Sequence, residues 1–207
     1  MIENAVHVAA AIQRIRDRSV ATKLAREYDA GRHRLNLLAS DGFKELYGQL
    51  FDTFRVNMCP QVVAAFSDRL IVQAVDVAGG ADDGDLASTW RRARFDAVQI
   101  EAHREAVLTG RSFLLVWPNS RGDVRVRVQR SDAFEIAYDD EGEAVAGVKF
   151  WTPAGETTRQ RLAIYYADRV ERYWASGGTS VSNLVPLPED PVEPNPSGLL
   201  PCVELRW

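Results

Sequence analysis

The chain changes from helical to β-strand patterning in the stretch SFLLVWPNSRGDVRVRVQ, residues 112–129. Phe113–Trp117 is an uninterrupted apolar run of strand length, which predicts a buried strand. After a turn at Asn119–Asp123, three valines alternate with Arg125, Arg127 and a glutamine. Because successive side chains of a strand point to opposite faces, this alternation predicts a half-buried strand with a basic outer face.

More short strands are predicted on the C-terminal side of this stretch. They are Phe134–Tyr138, Val145–Trp151, Leu162–Tyr166, Val170–Trp174 and Cys202–Arg206. The first four are separated by short turns, which favours an antiparallel meander over βαβ units. Residues 176–198 contain Gly177-Gly178 and five prolines, and this composition predicts an exposed loop.

Helical patterns dominate on the N-terminal side of the stretch. Good helix formers continue to Tyr28, and Gly31 ends that segment. Four further helices are predicted: Phe43–Phe54 capped by Asp41, a helix from Pro60 through Val63, Phe66 and Leu70, and the pair Leu86–Phe95 and Ala97–Leu108. Asp96 is the predicted N-cap of the last helix, and Gly110 its C-terminal stop. The β-branched run Ile71–Val77 predicts a short strand.

These patterns together predict an α+β fold. Residues 1–110 form the mainly helical part, which we expect to pack on a mainly antiparallel sheet formed by residues 111–207. The chain ends on the strand-forming residue Trp207 without a polar tail, so we expect it to continue in a longer protein.

The composition excludes several functional classes. The 207 residues are 46% hydrophobic and carry a net charge of −4, so the phosphate-neutralising basic excess of a tight nucleic-acid binder is missing. Cys59 and Cys202 lie far apart, and the three histidines have no metal-ligand spacing. No glycine-rich phosphate loop or catalytic motif is present, and no apolar run is long enough to span a membrane. We therefore expect neither cofactor nor metal.

Two acidic clusters leave an enzymatic alternative open. Carboxylates occur at Asp82, Asp83 and Asp85, and again around Gly142 at Asp139, Asp140, Glu141 and Glu143. Such oxygen ligands could hold a divalent cation in a metal-dependent hydrolase. The alternative interpretation, which we favour, is that both clusters are solvated turns.

Two basic clusters are candidates for contacts between subunits. Arg91, Arg92 and Arg94 follow Trp90 on a predicted helix, and Arg125 and Arg127 lie on a predicted strand. Arginine and tryptophan are enriched at the energetic centres of protein interfaces. Solvated faces balanced by the acidic loops are the alternative.

Four segments, in order, resemble phage portal proteins of the SPP1 type, as found in many actinobacteriophages. The most specific is RVNMCPQVVAAFSDRL, residues 55–70; the others are YDAGRHRL at 28–35, HREAVLTGRSFLLVWP at 103–118 and LLPCVELRW at 199–207. The positions that carry the resemblance are Tyr28, Gly31, Asn57, Cys59, Pro60, Asp68, Arg69, Trp90 and Gly110.

The resemblance implies a structural protein and no enzyme. Portal subunits form a closed ring, typically of twelve, at one vertex of the phage head. DNA passes through the ring, terminase docks on it, and capsid and head–tail adaptor proteins contact it. The resemblance therefore implies a virion protein that is in the host cytoplasm during assembly. These segments match the N-terminal wing, and nothing resembles the stem, clip or crown, so we expect a fragment. A head-associated interaction module without a ring remains an alternative.

Each motif residue also has an expected structural role. Pro60 begins a helix, and Val62, Val63 and Phe66 are expected to fill the core behind it. Asn57 should bond backbone groups at the turn, and Cys59 should be a small buried apolar residue. Asp68 and Arg69 are expected to pair with neighbours or with an adjacent subunit.

Overall fold

A computed structural model describes residues 2–32, 42, 45, 47, 57–73, 75, 83–119, 121–156, 159–176, 184–188 and 192–207. Helices precede Arg111 and strands follow it. The helices are α1 (Ala5–Asp29), α2 (Cys59–Ser67), α3 (Asp83–Ala93) and α4 (Phe95–Thr109). The predicted helix Phe43–Phe54 and its cap Asp41 lie mostly outside the described residues, of which Glu45 and Tyr47 are helical. No helix of the described ranges is long and apolar enough to cross a bilayer.

The strands form two antiparallel sheets. Their bounds are β1 (Arg111–Pro118), β2 (Val124–Gln129), β3 (Phe134–Tyr138), β4 (Ala144–Trp151), β5 (Arg159–Tyr165), β6 (Arg169–Ser176), β7 (Leu184–Pro186), β8 (Val192–Pro194) and β9 (Cys202–Arg206). The first sheet has the order β2-β1-β9, and the second has the order β3-β4-β5-β6-β7, with β8 also paired to β6. The predicted α+β fold and the predicted meander of β3 to β6 are thus confirmed.

The six-stranded sheet is covered on both faces. Helix α1 packs on one face, where Val8, Ile12 and Ile15 meet the strand residues Val148 and Leu162. The three-stranded sheet packs on the other face. Its contact residues include Phe113, Leu115 and Cys202, which meet Phe134, Ile136 and Tyr165 of the larger sheet. Two apolar layers therefore lie on opposite sides of one central sheet.

The prediction that the basic face of β2 points outward is wrong. Arg125 lies opposite Trp117 and Arg127 opposite Leu115, so both arginines share the face of β1 that turns toward the larger sheet. They nevertheless reach solvent because β2 is an edge strand. The valine face is the one that receives α4, and Ser112 on that face donates to the carbonyl of Ala102 at 2.8 Å.

Three local predictions in the helical part need correction. Helix α2 ends at Ser67, and only its Val63 and Ser67 are buried, whereas Val62 and Phe66 are 56% and 51% exposed. A nine-residue helix buries only the stripe that packs against its neighbours, here α4 and α1, and these two residues lie off it. The strand predicted at Ile71–Val77 is not formed by residues 71–73 and 75, the positions described there.

The part of 176–198 that the structure describes is more ordered than the predicted exposed loop. It contributes the short strands β7 and β8, which both pair with β6. Leu187 and Asn195 are buried in it. The Asn195 amide donates to the carbonyls of Tyr166 and Leu199, at 3.2 Å and 2.8 Å. Prolines therefore limit the length of these strands without preventing their pairing.

A buried carboxylate joins α1 to both sheets. The side chain of Glu135 on β3 is 2% exposed and forms an ion pair with Arg18 of α1. Arg14 and Arg111 each place a nitrogen 3.8 Å from the same carboxylate oxygen. Arg111 also pairs with Glu204 of β9 at 3.2 Å. The negative charge of Glu135 is thus balanced by three arginines.

Candidate interaction surfaces

Asn57 connects two of the motif segments. Its amide donates to the carbonyls of Tyr28 and Asp29 at the end of α1, at 2.8 Å and 3.0 Å. Its carbonyl oxygen accepts from the backbone N–H of Cys59 at 3.1 Å, at the start of α2. A Cβ at Gly31, where φ is +66°, would lie 3.3 Å from the Asn57 amide nitrogen. The expected turn contact of Asn57 is present, and its bonds to α1 were not predicted.

Replacing Asn57 by alanine is expected to lower the free energy of unfolding by about 1–3 kcal/mol, because helix-end carbonyls and an N-terminal amide lose their partner. Chemical denaturation measures this. Asn57→Asp is the informative comparison, since an aspartate can still accept the Cys59 N–H but cannot donate to the two α1 carbonyls. We expect N57D to be no more stable than N57A, whereas a fully stable N57D would show that the contact with α1 contributes nothing.

The remaining positions of the 55–70 motif lie at the ends of α2. Pro60 occupies the first turn, as predicted. Cys59 is partly exposed, which corrects its expected burial, because it is the first residue of the helix. Asp68 follows the last turn and Arg69 is exposed; within the described part of the chain neither forms an ion pair. Their expected pairing with an adjacent subunit stays a prediction.

Trp90 fixes the corner between α3 and α4. Its indole N–H donates to Asp96 at 2.7 Å, and its ring lies 4.3 Å from that of Phe95 between centroids. The corner residue Arg94 has a φ of +53° and is the N-cap position, which corrects the predicted cap at Asp96. Asp96 instead lies in the first turn, where a negative charge is favourable. Gly110 ends α4 with φ +85°, as predicted.

The two predicted arginine clusters lie next to each other. Arg91, Arg92 and Arg94 are exposed at the α3–α4 corner. The guanidinium of Arg125 donates to the carbonyl of Arg92 at 3.4 Å, so β2 brings the second cluster to the first. Arg127 follows on the same strand face and is exposed.

Sequence patterns missed a set of cations and indoles that continues this surface. On one face of the larger sheet, Arg161 stands directly between Trp151 and Trp174 on the neighbouring strands. The Arg161 guanidinium lies 4.6 Å from the Trp174 ring centroid, and the Lys149 ammonium lies 5.0 Å from that of Trp151. Burial, together with the nearby positive charge of Arg127, lowers the pKa of Lys149. Only the register of three strands brings these residues together.

We call this continuous surface the basic band. Its members are Arg91, Arg92, Arg94, Arg125, Arg127, Lys149 and Arg161. In the ranges that the structure describes, none of them forms an ion pair with a carboxylate, in contrast to Arg18, Arg104 and Arg169 elsewhere. The band therefore presents uncompensated positive charge beside indole rings.

The acidic clusters do not form a metal site in the described residues. Asp139 accepts the backbone N–H groups of Glu141 and Glu143 at 3.0 Å and 2.8 Å and so caps its own turn. Asp83 and Asp85 belong to α3, and Asp82 lies outside the described residues. No group of three possible metal ligands occurs among the residues described. This geometry provides no support for the metal-dependent hydrolase alternative.

Cys202 packs between the two sheets and has no nucleophilic character there. It is 6% exposed, and burial raises the pKa of its thiol to about 12. A thiol with such a pKa is protonated at neutral pH and unreactive.

Comparison with known proteins gives one family. Residues 52–206, which are 155 of the 207 residues, match the model of a family described as phage portal protein, SPP1 Gp6-like. The matched range includes α2 to α4, both sheets and the whole basic band. A search of curated proteins found no match.

Proposed function

The chain belongs to the SPP1 Gp6-like family of phage portal proteins, and we propose that it is a subunit of the portal ring, the connector between the phage head and tail. The family is structural and not enzymatic, and it makes the chain a phage protein and a virion component. The observation that carries the proposal is the length of the match, which includes three quarters of the chain.

In this role the chain acts by assembly. Copies form a closed ring, and DNA passes through the ring during packaging and ejection. Terminase, capsid proteins and head–tail adaptors are the proposed partners. The net charge of −4 is consistent with a ring that lets DNA slide, because a strongly basic protein would hold the phosphates. The portal vertex, after assembly in the host cytoplasm, is the proposed location.

The location can be tested directly. The protein is tagged in the phage genome, particles are purified, and the tag is labelled with gold for electron microscopy. We expect label at a single vertex of each head, on the axis of the tail. Label scattered over the shell would indicate the alternative, a head-associated module without a ring, and unlabelled particles would contradict a virion role.

We also propose that Arg91, Arg92, Arg94, Arg125 and Arg127 contact a neighbouring subunit in the ring. Reversal of the three α3–α4 corner arginines to glutamate is expected to reduce ring assembly of the full-length phage protein at least tenfold, because like charges then face each other. Negative-stain images and particle mass measure assembly. The matched control reverses Lys23 on the exposed side of α1, and assembly unchanged by the triple variant would remove these arginines from the interface.

A further inference from the structure

We infer that the basic band of one copy binds the acidic β3–β4 turn of the next copy in a head-to-tail contact. The inference rests on the proposed ring function and names the two surfaces that meet. The acidic turn is defined here as Asp140, Glu141 and Glu143, which are all exposed. None of the three has an ion-pair partner among the described residues. The chain therefore carries unpaired charge of both signs, in two separate places.

Strand β4 sets the distance between these places. It begins directly after Glu143 and ends at Trp151, beside Lys149. Glu143 and Lys149 are six residues apart, and six steps of about 3.4 Å put the turn and the band roughly 20 Å apart. Because this exceeds the screening length of about 8 Å at physiological salt, the two surfaces cannot neutralise each other within one copy. They can do so between copies.

Opposite ends of one rigid sheet suit a heterologous contact. In a closed ring each subunit presents one patch to the preceding subunit and a different patch to the following one. The acidic turn is tightly held by the two bonds to Asp139, and the band is held by strand register and by the Trp90 corner. Two preorganised patches lose little conformational freedom when they meet.

A protein partner fits the band better than a nucleic acid does. The Lys149 ammonium and the Arg161 guanidinium lie over indole rings and both side chains are half-buried, so they are less accessible to a phosphate backbone than fully exposed cations are. Half-buried arginine and tryptophan side chains are typical of protein interfaces. The carboxylates that would compensate the band are present on the chain itself, whose net charge of −4 opposes binding to DNA.

The test exchanges the charges of the two patches in the full phage protein. The first variant, R127E/K149E, lowers the formal charge of the band from +7 to +3, and the second, D140K/E141K, reverses that of the turn from −3 to +1. We expect each variant alone to self-associate at least tenfold more weakly than wild type. A mixture of the two variants should recover pairwise association, because the unaltered band of the second variant then meets the unaltered turn of the first. Sedimentation velocity at two salt concentrations measures all three samples, and recovery in the mixture shows that both variants are folded.

The control substitutions lie outside both patches, and three outcomes would overturn the inference. A charge exchange at two exposed positions outside both patches, K23E and E101K, should leave association unchanged. If R127E/K149E loses its native circular dichroism, R127Q/K149Q replaces it, with weaker association again expected. Wild-type association in both reversed variants, no recovery in a mixture of folded variants, or a wild-type protein that binds a DNA duplex through the band without self-association would each overturn the inference.

The proposed portal function and the proposed contact are tested by different outcomes. Gold label at one vertex together with unaffected association of the variants would retain the portal role and reject this contact. Absence of label from the particles would reject the portal role, whatever the variants do in solution.

Discussion

Replacing Glu135 by alanine is expected to lower the free energy of unfolding by about 3–5 kcal/mol, the usual cost when one partner of a buried ion pair is removed. The substitution leaves the guanidinium of Arg18, whose side chain is only 21% exposed, without its anion. Burial already lowers the pKa of Arg18 against the opposing charge of Glu135. Arginine cannot lose its proton at accessible pH, so the full desolvation cost remains.

Loss of the Glu135 carboxylate should also weaken the packing of α1 on the sheets. Arg14 donates to the carbonyl of Ile136 at 3.1 Å, so the arginines of α1 cover the free edge of β3 while they hold Glu135. Protection of α1 amides in hydrogen exchange is therefore expected to fall more than protection of β4 or β5 amides. Denaturant titration measures the global free energy of unfolding, and hydrogen exchange measures the local stability of α1.

A partly exposed ion pair supplies the control. Glu193 pairs with Arg172, but its side chain is 38% exposed, so E193A should cost no more than about 1 kcal/mol. The double variant E135L/R18M should recover much of the E135A loss, because an apolar pair needs no compensation. An E135A protein within about 1 kcal/mol of wild type would contradict the account of α1 docking.

Local patterns predicted much of this fold. The strands Phe134–Tyr138 and Cys202–Arg206 were predicted at the bounds observed, because each is a short stretch rich in strand-forming residues that begins after a turn or a proline. Gly110 was predicted to end α4, because glycine adopts the left-handed backbone conformation at a helix end without a steric penalty. Such features depend on a few neighbouring residues, and these are visible in the sequence.

Features that depend on distant residues were missed. The sheet β2-β1-β9 requires Arg111 to pair with Arg206, and no local pattern encodes that distance. The basic band depends in the same way on register, since Trp151, Arg161 and Trp174 meet across three strands. Phe66 was assigned to the core because it is apolar, but which side of a short helix is buried depends on its neighbour.

Gly147 is a position that only the packing of the two sheets reveals. It lies on β4 opposite Tyr165, on the face that receives the smaller sheet. A Cβ here would lie 2.7 Å from the sulfur of Cys202 and 2.9 Å from the Cζ atom of Phe134. Both neighbours are buried, at 6% and 0% exposure, so neither can move into solvent. The absence of a side chain at 147 thus sets the distance between the sheets.

Gly147→Ala is accordingly expected to destabilise the protein by about 1–3 kcal/mol, the cost of overpacking a filled core. The sign of the stability change is diagnostic. At an unobstructed position, a glycine-to-alanine substitution stabilises by about 0.4–1 kcal/mol, because it lowers the conformational entropy of the unfolded chain. Thermal and denaturant unfolding measure the change. The double variant G147A/C202A removes the nearer obstacle, so its stability should exceed the sum of the two single effects, a positive coupling between contacting residues. If G147A is as stable as wild type, or if the two substitutions are simply additive, the sheets do not meet at Cys202, and the layer that positions β2 and its arginines is arranged differently.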